Sequence, residues 1–429
     1  MLSFDFTQKK PTYWYRNLFC VSFILIFIGY LSLSFWGFDF RFFRILSIVA
    51  IAGFVIANVN RLSAIYKDPL VRNYALFVIC CYPSFMFSQD KGTCLFKLME
   101  TTMVPSLIAL GVYYFSVKKV RNVFFFLTWY FVIQTLITMY GYFTDPSVLA
   151  VDTGYGTYVT SLRCKYPPLH PNALGSYGAI SAFFSLTCFV RSNKIINKVI
   201  FGGLFVMSIA MVYLTSSRTS MISGFIGLIF LSFVLFNFSK KLLLVFVIAG
   251  FAYFYHGTIE ETVTGIMMKK RTEKQIYQAE DKTDLIMSGR LSIWEEILKK
   301  PKNCILGLGY GTAVKQIVGD ENATNAHNSI IEILINAGIF ALFFWLRMWW
   351  LIFTSYRKLC RQKQKLPLNI CWYHLAMAMC VMAFLRSFGN ISAVYMMLDL
   401  FGPIAAMVLF IWTDFYLSQR KVPAEVPVE

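Results

Sequence analysis

The stretch Asn325-Ala326-His327-Asn328-Ser329-Ile330-Ile331-Glu332 leads into an apolar run that continues to residue 353. A run of roughly 20 apolar residues is what one helix needs to cross the hydrocarbon of a bilayer. The polar start of this run therefore sets a histidine at the outer mouth of a membrane helix. Asn328, Glu332 and Asn336 follow at helical spacing, so they share one face and carry a polar stripe down into the membrane. A histidine so placed suits proton chemistry at the membrane surface, and its surroundings suggest an enzyme rather than an anchor.

Apolar runs of this kind recur along the chain. Its 429 residues are 57% hydrophobic, 18% aromatic and only 14% charged, too little charge to cover a soluble domain of that length. We expect an all-α polytopic membrane protein with about twelve transmembrane helices. They fall near residues 17–37, 43–59, 73–89, 98–117, 122–143, 172–190, 198–215, 219–238, 242–256, 328–353, 369–388 and 391–416. The chain then divides into N-terminal transmembrane helices (1–143), a first outer loop (144–171), further transmembrane helices (172–256), a large outer loop (257–326), C-terminal transmembrane helices (327–416) and a cytoplasmic tail (417–429).

The formal net charge of +18 suggests a nucleic-acid partner, but its distribution excludes one. Basic residues gather in alternate short loops: Lys9, Lys10 and Arg16; Arg61, Lys67 and Arg72; Lys118, Lys119 and Arg121; Arg191, Lys194 and Lys198; Lys240 and Lys241; Arg357 to Lys365; Arg420 and Lys421. This is the positive-inside pattern. It places both termini in the cytoplasm of a multi-pass membrane protein. Arg347 agrees, lying about 30 Å down the helix from His327 and so at the inner surface. The first span is too long for a cleaved signal and reads as an uncleaved start-transfer helix. Most of the ten cysteines lie within spans, which is no disulfide framework.

No internal repeat of the kind many transporters carry is evident. The chain is lopsided, with two long outward segments. Segment 257–326 balances ten Lys/Arg against ten Asp/Glu, so an anion site there has to be built from a few placed residues. Within it, Arg290–Lys300 reads as an amphipathic helix. Leu291, Trp294 and Leu298 share its apolar face, Ser292 and Glu295 form a capping box, and Pro301 stops it. Such a helix lies on the outer membrane surface or against the bundle.

Each candidate for chemistry has a plain structural reading beside it. Arg218, after Ser216-Ser217 at an outer junction, either snorkels to the interface or grips phosphate oxygens with its fork. Arg290 is either a solvated helix residue or a second phosphate ligand. His327 is either an interfacial hydrogen-bonding residue or a general base. The partial positive charge of the helix start disfavours imidazolium there. Glu332, a carboxylate inside a span, needs a partner or a polar cavity, and Lys97 and Arg386 are candidates for that partner. Arg163, Lys165 and His170 belong to a Pro-rich stretch that either carries solvated charges or lines an acceptor or phosphate site. The run Gly307-Leu308-Gly309-Tyr310-Gly311 lacks the Lys-Ser/Thr of a P-loop and reads as tight turns. Glu100, Asp399 and Arg386 are further intramembrane charges, read first as structural pairs. No metal-ligand spacing is present, and no cofactor is implied.

Taken in order, these pieces resemble the O-antigen ligase and polymerase superfamily of bacterial membrane glycosyltransferases. The resemblance rests on Ser217-Arg218-Thr219-Ser220 entering an apolar helix, then Gly289-Arg290-Leu291-Ser292-Ile293-Trp294 ahead of Pro301 and the glycine-rich turn. It closes with His327-Asn328, Glu332 and Gly338. It covers roughly residues 205–355; the first 140 match in hydropathy alone. It implies a GT-C-like helical fold with amphipathic helices in the long outward loop. It implies an undecaprenyl-diphosphate-linked oligosaccharide as donor, with Arg218 and Arg290 holding the diphosphate and His327 activating or placing the acceptor hydroxyl. Arg163, Lys165, His170, Asn328 and Glu332 are the substrate-binding candidates. The implied chemistry is inverting and metal-independent. The partners are membrane lipids and, as a family expectation, a chain-length regulator. Ligases of the superfamily often carry a second histidine two residues before the one matching His327. This chain has Asn325 there, which leans toward a polymerase. A ligase that hands the glycan to lipid A-core is the alternative, and a lipid-glycan flippase or secondary transporter is the distant one.

Overall fold

The computed structural model describes residues 18–19, 21–22, 34–35, 38–39, 42–115, 117–144, 164–165, 168–169, 171–215, 217–237, 239, 294–295, 297, 299, 303–318, 326–389 and 398–419. In chain order these give β1 (Ser34–Phe35), β2 (Phe38–Asp39), α1 (Phe42–Ala57), α2 (Val59–Ile65), α3 (Pro69–Cys81), a 3-10 turn (Tyr82–Phe87), α4 (Lys91–Tyr114) and α5 (Val117–Thr144). Next come β3 (Cys164–Lys165), β4 (Pro168–Leu169), α6 (Pro171–Arg191), α7 (Ile195–Leu214), α8 (Arg218–Leu235), α9 (Asn303–Leu306), α10 (Ala313–Val318), α11 (Ser329–Arg361), α12 (Ile370–Arg386) and α13 (Leu398–Gln419). The strands form two antiparallel two-residue pairs; the architecture is helical, as expected.

Six described helices are long and apolar enough to cross a membrane, at 69–87, 91–114, 172–191, 195–214, 218–235 and 329–361. The count becomes seven if Arg44–Ala57 and Val59–Ile65, bent by 91°, are one span. Of the twelve expected spans, 242–256 and most of 17–37 lie outside the described residues. Helix α12 (370–386) and the apolar stretch 402–418 of α13 are shorter than 18 residues. Two starts move toward the N-terminus because an acidic cap extends the helix. Asp68 accepts the Leu70 N–H at 2.8 Å with Pro69 following it, and Asp90 accepts the Thr93 N–H at 3.0 Å. Hydropathy alone does not see these capped first turns.

The chain folds as two compact units. Met1–Leu127, Lys300–Cys380 and Ile391–Glu429 make the first; Thr128–Lys299 and Val381–Asn390 make the second. In the first unit α4 is the central helix. Every residue from Met103 to Val112 is buried, the mark of a helix surrounded by others. Helices α1, α3 and α13 pack around it, and α3 also lies along α11. Asn73 on α3 donates to the Phe344 carbonyl of α11 at 2.7 Å. Trp345 and Trp349 of α11 pack edge to face at 5.9 Å.

In the second unit α6 packs on α7 and α8. A Cβ at Gly178 would lie 2.9 Å from Val212 Cγ2 and 3.0 Å from the Ser208 carbonyl, so the bare backbone is what lets α6 and α7 approach. Ser181 and Ser208 close the same seam with a 2.8 Å hydrogen bond. The other face of α7 exposes Ile195, Ile196, Val199, Ile200 and Val206, an apolar surface that suits lipid. Of the expected amphipathic helix at 290–300, Trp294, Glu295 and Ile297 are described and helical. Ile297 is fully buried, and the Lys299 N–H bonds the Glu295 carbonyl at 3.0 Å.

Candidate functional site

Helix α11 begins at Ser329 because Asn328 caps it. Its Oδ1 accepts the N–H groups of Ile330 (2.9 Å) and Ile331 (3.3 Å), satisfying donors that a helix start otherwise leaves open. The residue before the cap, His327, has φ of 53°. That left-handed conformation costs an L-residue about 1–2 kcal/mol, so the surroundings must impose it. Ala326 N–H donates to Glu332 Oε2 at 2.6 Å, and Glu332 N–H donates to the Asn328 carbonyl at 2.8 Å. The histidine therefore sits in a turn closed from both sides. It is half-buried, with Nδ1 turned inside.

Glu332 is 1% exposed. Its second oxygen, Oε1, accepts from Asn336 Nδ2 at 2.7 Å, and Asn336 Oδ1 accepts the Ala313 N–H at 3.1 Å. Just beyond, α11 breaks at Gly338 (φ 87°, ψ 178°). There the Ile335 carbonyl accepts from Leu308 N–H at 2.7 Å and the Asn336 carbonyl from Gly309 N–H at 3.4 Å. A continuous helix engages such carbonyls internally; here the glycine-rich turn takes them. Gly307, Gly309 and Gly311 all have positive φ, in line with the tight turns expected of this run. A Cβ on Gly307 would fall 2.5 Å from Ala337 N.

The same turn is fastened to α4. Thr312 Oγ1 bonds Ser88 Oγ at 2.9 Å, and Gly311 packs against the Lys97 stem. Lys97, named from sequence as a candidate partner for Glu332, pairs with the fully buried Glu100 at 2.9 Å. Tyr310 is wholly buried, and burial pushes its phenol well above its usual range, which leaves it a neutral hydroxyl.

In the second unit Arg218 opens α8, half-buried, with Nε and Nη2 inside. Beside it the Asn172 carbonyl gathers three donors: Ser176 Oγ (2.8 Å), Ser220 Oγ (3.1 Å) and Arg386 Nη2 (3.3 Å). Ser217 Oγ donates to Asn172 Oδ1 at 2.8 Å. Arg386, the other partner considered for Glu332, is thus bonded to Asn172 and is 2% exposed. Sequence reading missed Asn172 as a hub. The one signal for it was an arginine inside a predicted span, which demands a local acceptor.

His327, Asn328 and Glu332 therefore come together on one turn of the first unit, and Arg218 belongs to the second. Arg163, His170 and Arg290 lie outside the described residues, as does the side chain of Lys165, whose backbone pairs in β3. The side chain of Asp399 also lies outside them. Among the described residues no three His, Cys, Asp or Glu side chains group as a metal site.

No curated protein matches the chain. Residues 203–346 match the family model for the O-antigen ligase, a stretch that holds Arg218, Arg290, His327, Glu332 and Gly338. Over that stretch this apolar helical chain is similar to the O-antigen ligase family.

Proposed function

We propose that the protein is a membrane glycosyltransferase acting on undecaprenyl-diphosphate-linked glycan. It joins repeat units of an O-antigen or capsular polysaccharide at the outer face of the bacterial cytoplasmic membrane, with both termini in the cytoplasm. The observation that carries this reading is the family match over 203–346. Within it Arg218, Arg290 and His327 fall in order, the last on a strained, doubly closed turn before α11.

The chemistry follows from those residue types. Arg218 and Arg290 hold the diphosphate of the donor with forked, charge-assisted bonds. His327 accepts the proton of the acceptor hydroxyl as its oxygen attacks the anomeric carbon. The bond from that carbon to the diphosphate oxygen breaks, the configuration inverts, and undecaprenyl diphosphate departs. The charge growing on the leaving group is met by the two guanidinium groups, so the scheme calls for no metal ion. Arg163, Lys165 and His170 line the acceptor side. A chain-length regulator is the expected protein partner.

A ligase reading shares the donor and the three residues and differs in the acceptor. The description of the matched family favours it; Asn325 in place of a second histidine favours the polymerase. Surface glycans of a deletion strain separate the two. Core bearing a single repeat unit is expected for a lost polymerase. Bare core with long chains retained on undecaprenyl marks a ligase. An unchanged ladder overturns both, as does full complementation by Arg218→Ala, Arg290→Ala and His327→Ala alike.

A further inference from the structure

The chain Ala313–Asn336–Glu332–Ala326 has its hydrogen-bond directions fixed from both ends. Ala313 N–H can only donate, so the atom it faces is the carbonyl oxygen of the Asn336 amide. The other end of that amide is then NH2, which can only donate, so Glu332 Oε1 must accept. At the far end Ala326 N–H can only donate, so Glu332 Oε2 must accept as well. A side chain that accepts through both oxygens at once plays the part of a carboxylate, which has acceptors alone. A neighbouring amide that accepts on one side and donates on the other completes the line.

This line joins two pieces of backbone that sequence keeps apart. One is the left-handed His327 turn; the other is the start of α10 at the end of the glycine-rich turn. Glu332 and Asn336 are both buried, at 1% and 0% exposure, which suits groups that bond protein atoms rather than a sugar. Glu332 was expected from the sequence among the substrate-binding residues; its surroundings give it a different task.

We propose that Glu332 and Asn336 form a directional hydrogen-bond relay that sets the His327 turn and ties it to the Gly309–Ala313 turn. Glu332 is thus a positioning residue and not a substrate ligand. The proposal rests on the reading of His327 as the residue that handles the acceptor hydroxyl.

The relay makes an unusual demand: one carboxylate and one amide, in either order. Glu332→Gln alone puts an NH2 group against Ala326 N–H or against Asn336 Nδ2. Turning the Asn336 amide over moves the clash to Ala313 N–H. Asn336→Asp alone sets two carboxylates face to face. The double variant Glu332→Gln/Asn336→Asp restores the three bonds of the line: the new amide accepts from Ala326 and donates to the new carboxylate, whose other oxygen accepts from Ala313.

The test has two readouts on the full chain. One is the surface-glycan ladder of the complemented deletion strain. The other is hydrogen exchange of the peptide containing Ala326 in purified protein. Each single variant is expected to lose long-chain glycan and to exchange the Ala326 amide about tenfold faster, the scale of one lost buried hydrogen bond. The double variant is expected to recover both. Singles that behave as wild type overturn the relay, and so does a double variant that recovers neither readout beyond the singles. Recovered protection without recovered glycan means Glu332 acts on substrate, which overturns its positioning role. His327→Ala is the separate control. If it keeps a full ladder, the functional reading of His327 fails, while the exchange data still decide whether the relay exists.

Discussion

Gly338 of α11 lies against the carbonyl group of Ile305, so close that a Cβ would sit 2.7 Å from the carbonyl carbon and 2.9 Å from Leu306 Cα. Its φ of 87° with ψ of 178° is a conformation that only glycine adopts without strain of about 1–3 kcal/mol. Gly338→Ala therefore meets steric overlap with backbone as well as torsional strain. It is expected to lower the thermal midpoint by many degrees and to reduce the protein recovered from membranes. Gly53→Ala is the control: a Cβ there meets nothing within 4 Å, and α1 gains about 0.5–1 kcal/mol of helix preference. Equal midpoints for the two variants would sink the account of the break.

The ion pair of Lys97 and Glu100 holds a carboxylate with no exposed side-chain surface, whereas the Lys97 side chain is 27% exposed. Removing the cation alone takes a charged partner from a buried carboxylate, at a cost of about 3–5 kcal/mol. Lys97→Met is expected to destabilise on that scale, and Lys97→Met/Glu100→Gln to recover most of the loss. A double-mutant cycle on thermal or denaturant unfolding measures the coupling. Strictly additive single losses would show that the pair does not act as a unit.

Asp90 gives the first turn of α4 a dependence on pH. The Thr93 hydroxyl and the Thr93 N–H bond its exposed carboxylate and hold it below the usual carboxylate range. A carboxyl whose folded value lies below its unfolded value of about 4 contributes stability that is fully present above pH ~4. That contribution is lost as pH falls through the folded value. Asp90→Asn keeps a capping oxygen but does not titrate. The gap in thermal midpoint between wild type and this variant is expected at neutral pH and to close as the pH drops below about 4. Parallel midpoint curves would remove Asp90 from the pH response.

Much of this was legible from the sequence, and the rest was hidden for physical reasons. Membrane helices announce themselves because lipid demands apolar length, so the expected spans at 172–190, 198–215, 219–238 and 328–353 fall on described helices that pass as candidate spans. The cluster of His327, Asn328 and Glu332 was legible because residues one to five apart at a helix start must be neighbours. The break at Gly338 was not, since an isolated glycine inside an apolar run has no hydropathic signature. Its cause, the docking of residues 303–309, is non-local. The partners of Glu332 were missed for a related reason. Sequence reading looked for a cation, and what the structure brings to its two oxygens includes a backbone N–H six residues back and an amide one turn on. Backbone donors leave no trace in residue type.

Arg218 and Arg386 are both inward-turned arginines of the second unit, yet they should fail differently. Arg386 is 2% exposed and donates to the Asn172 carbonyl that also receives Ser176 and Ser220. Its guanidinium is part of what fastens the start of α6. Arg386→Lys swaps a planar fork for a compact, strongly hydrated ammonium, and a lower thermal midpoint and less recovered protein are expected. Arg218 opens α8, and on the proposed reading its fork serves the donor diphosphate. Arg218→Lys should leave the amount and midpoint of the protein near wild type while reducing glycan transfer by about 10²-fold, the usual scale for one lost charge-stabilising contact in a transition state. Quantitative immunoblotting, thermal unfolding and the glycan ladder, read on both variants together, check the contrast. If Arg218→Lys loses protein in step with glycan, Arg218 is a structural residue like Arg386, and the diphosphate grip must be sought elsewhere in the chain.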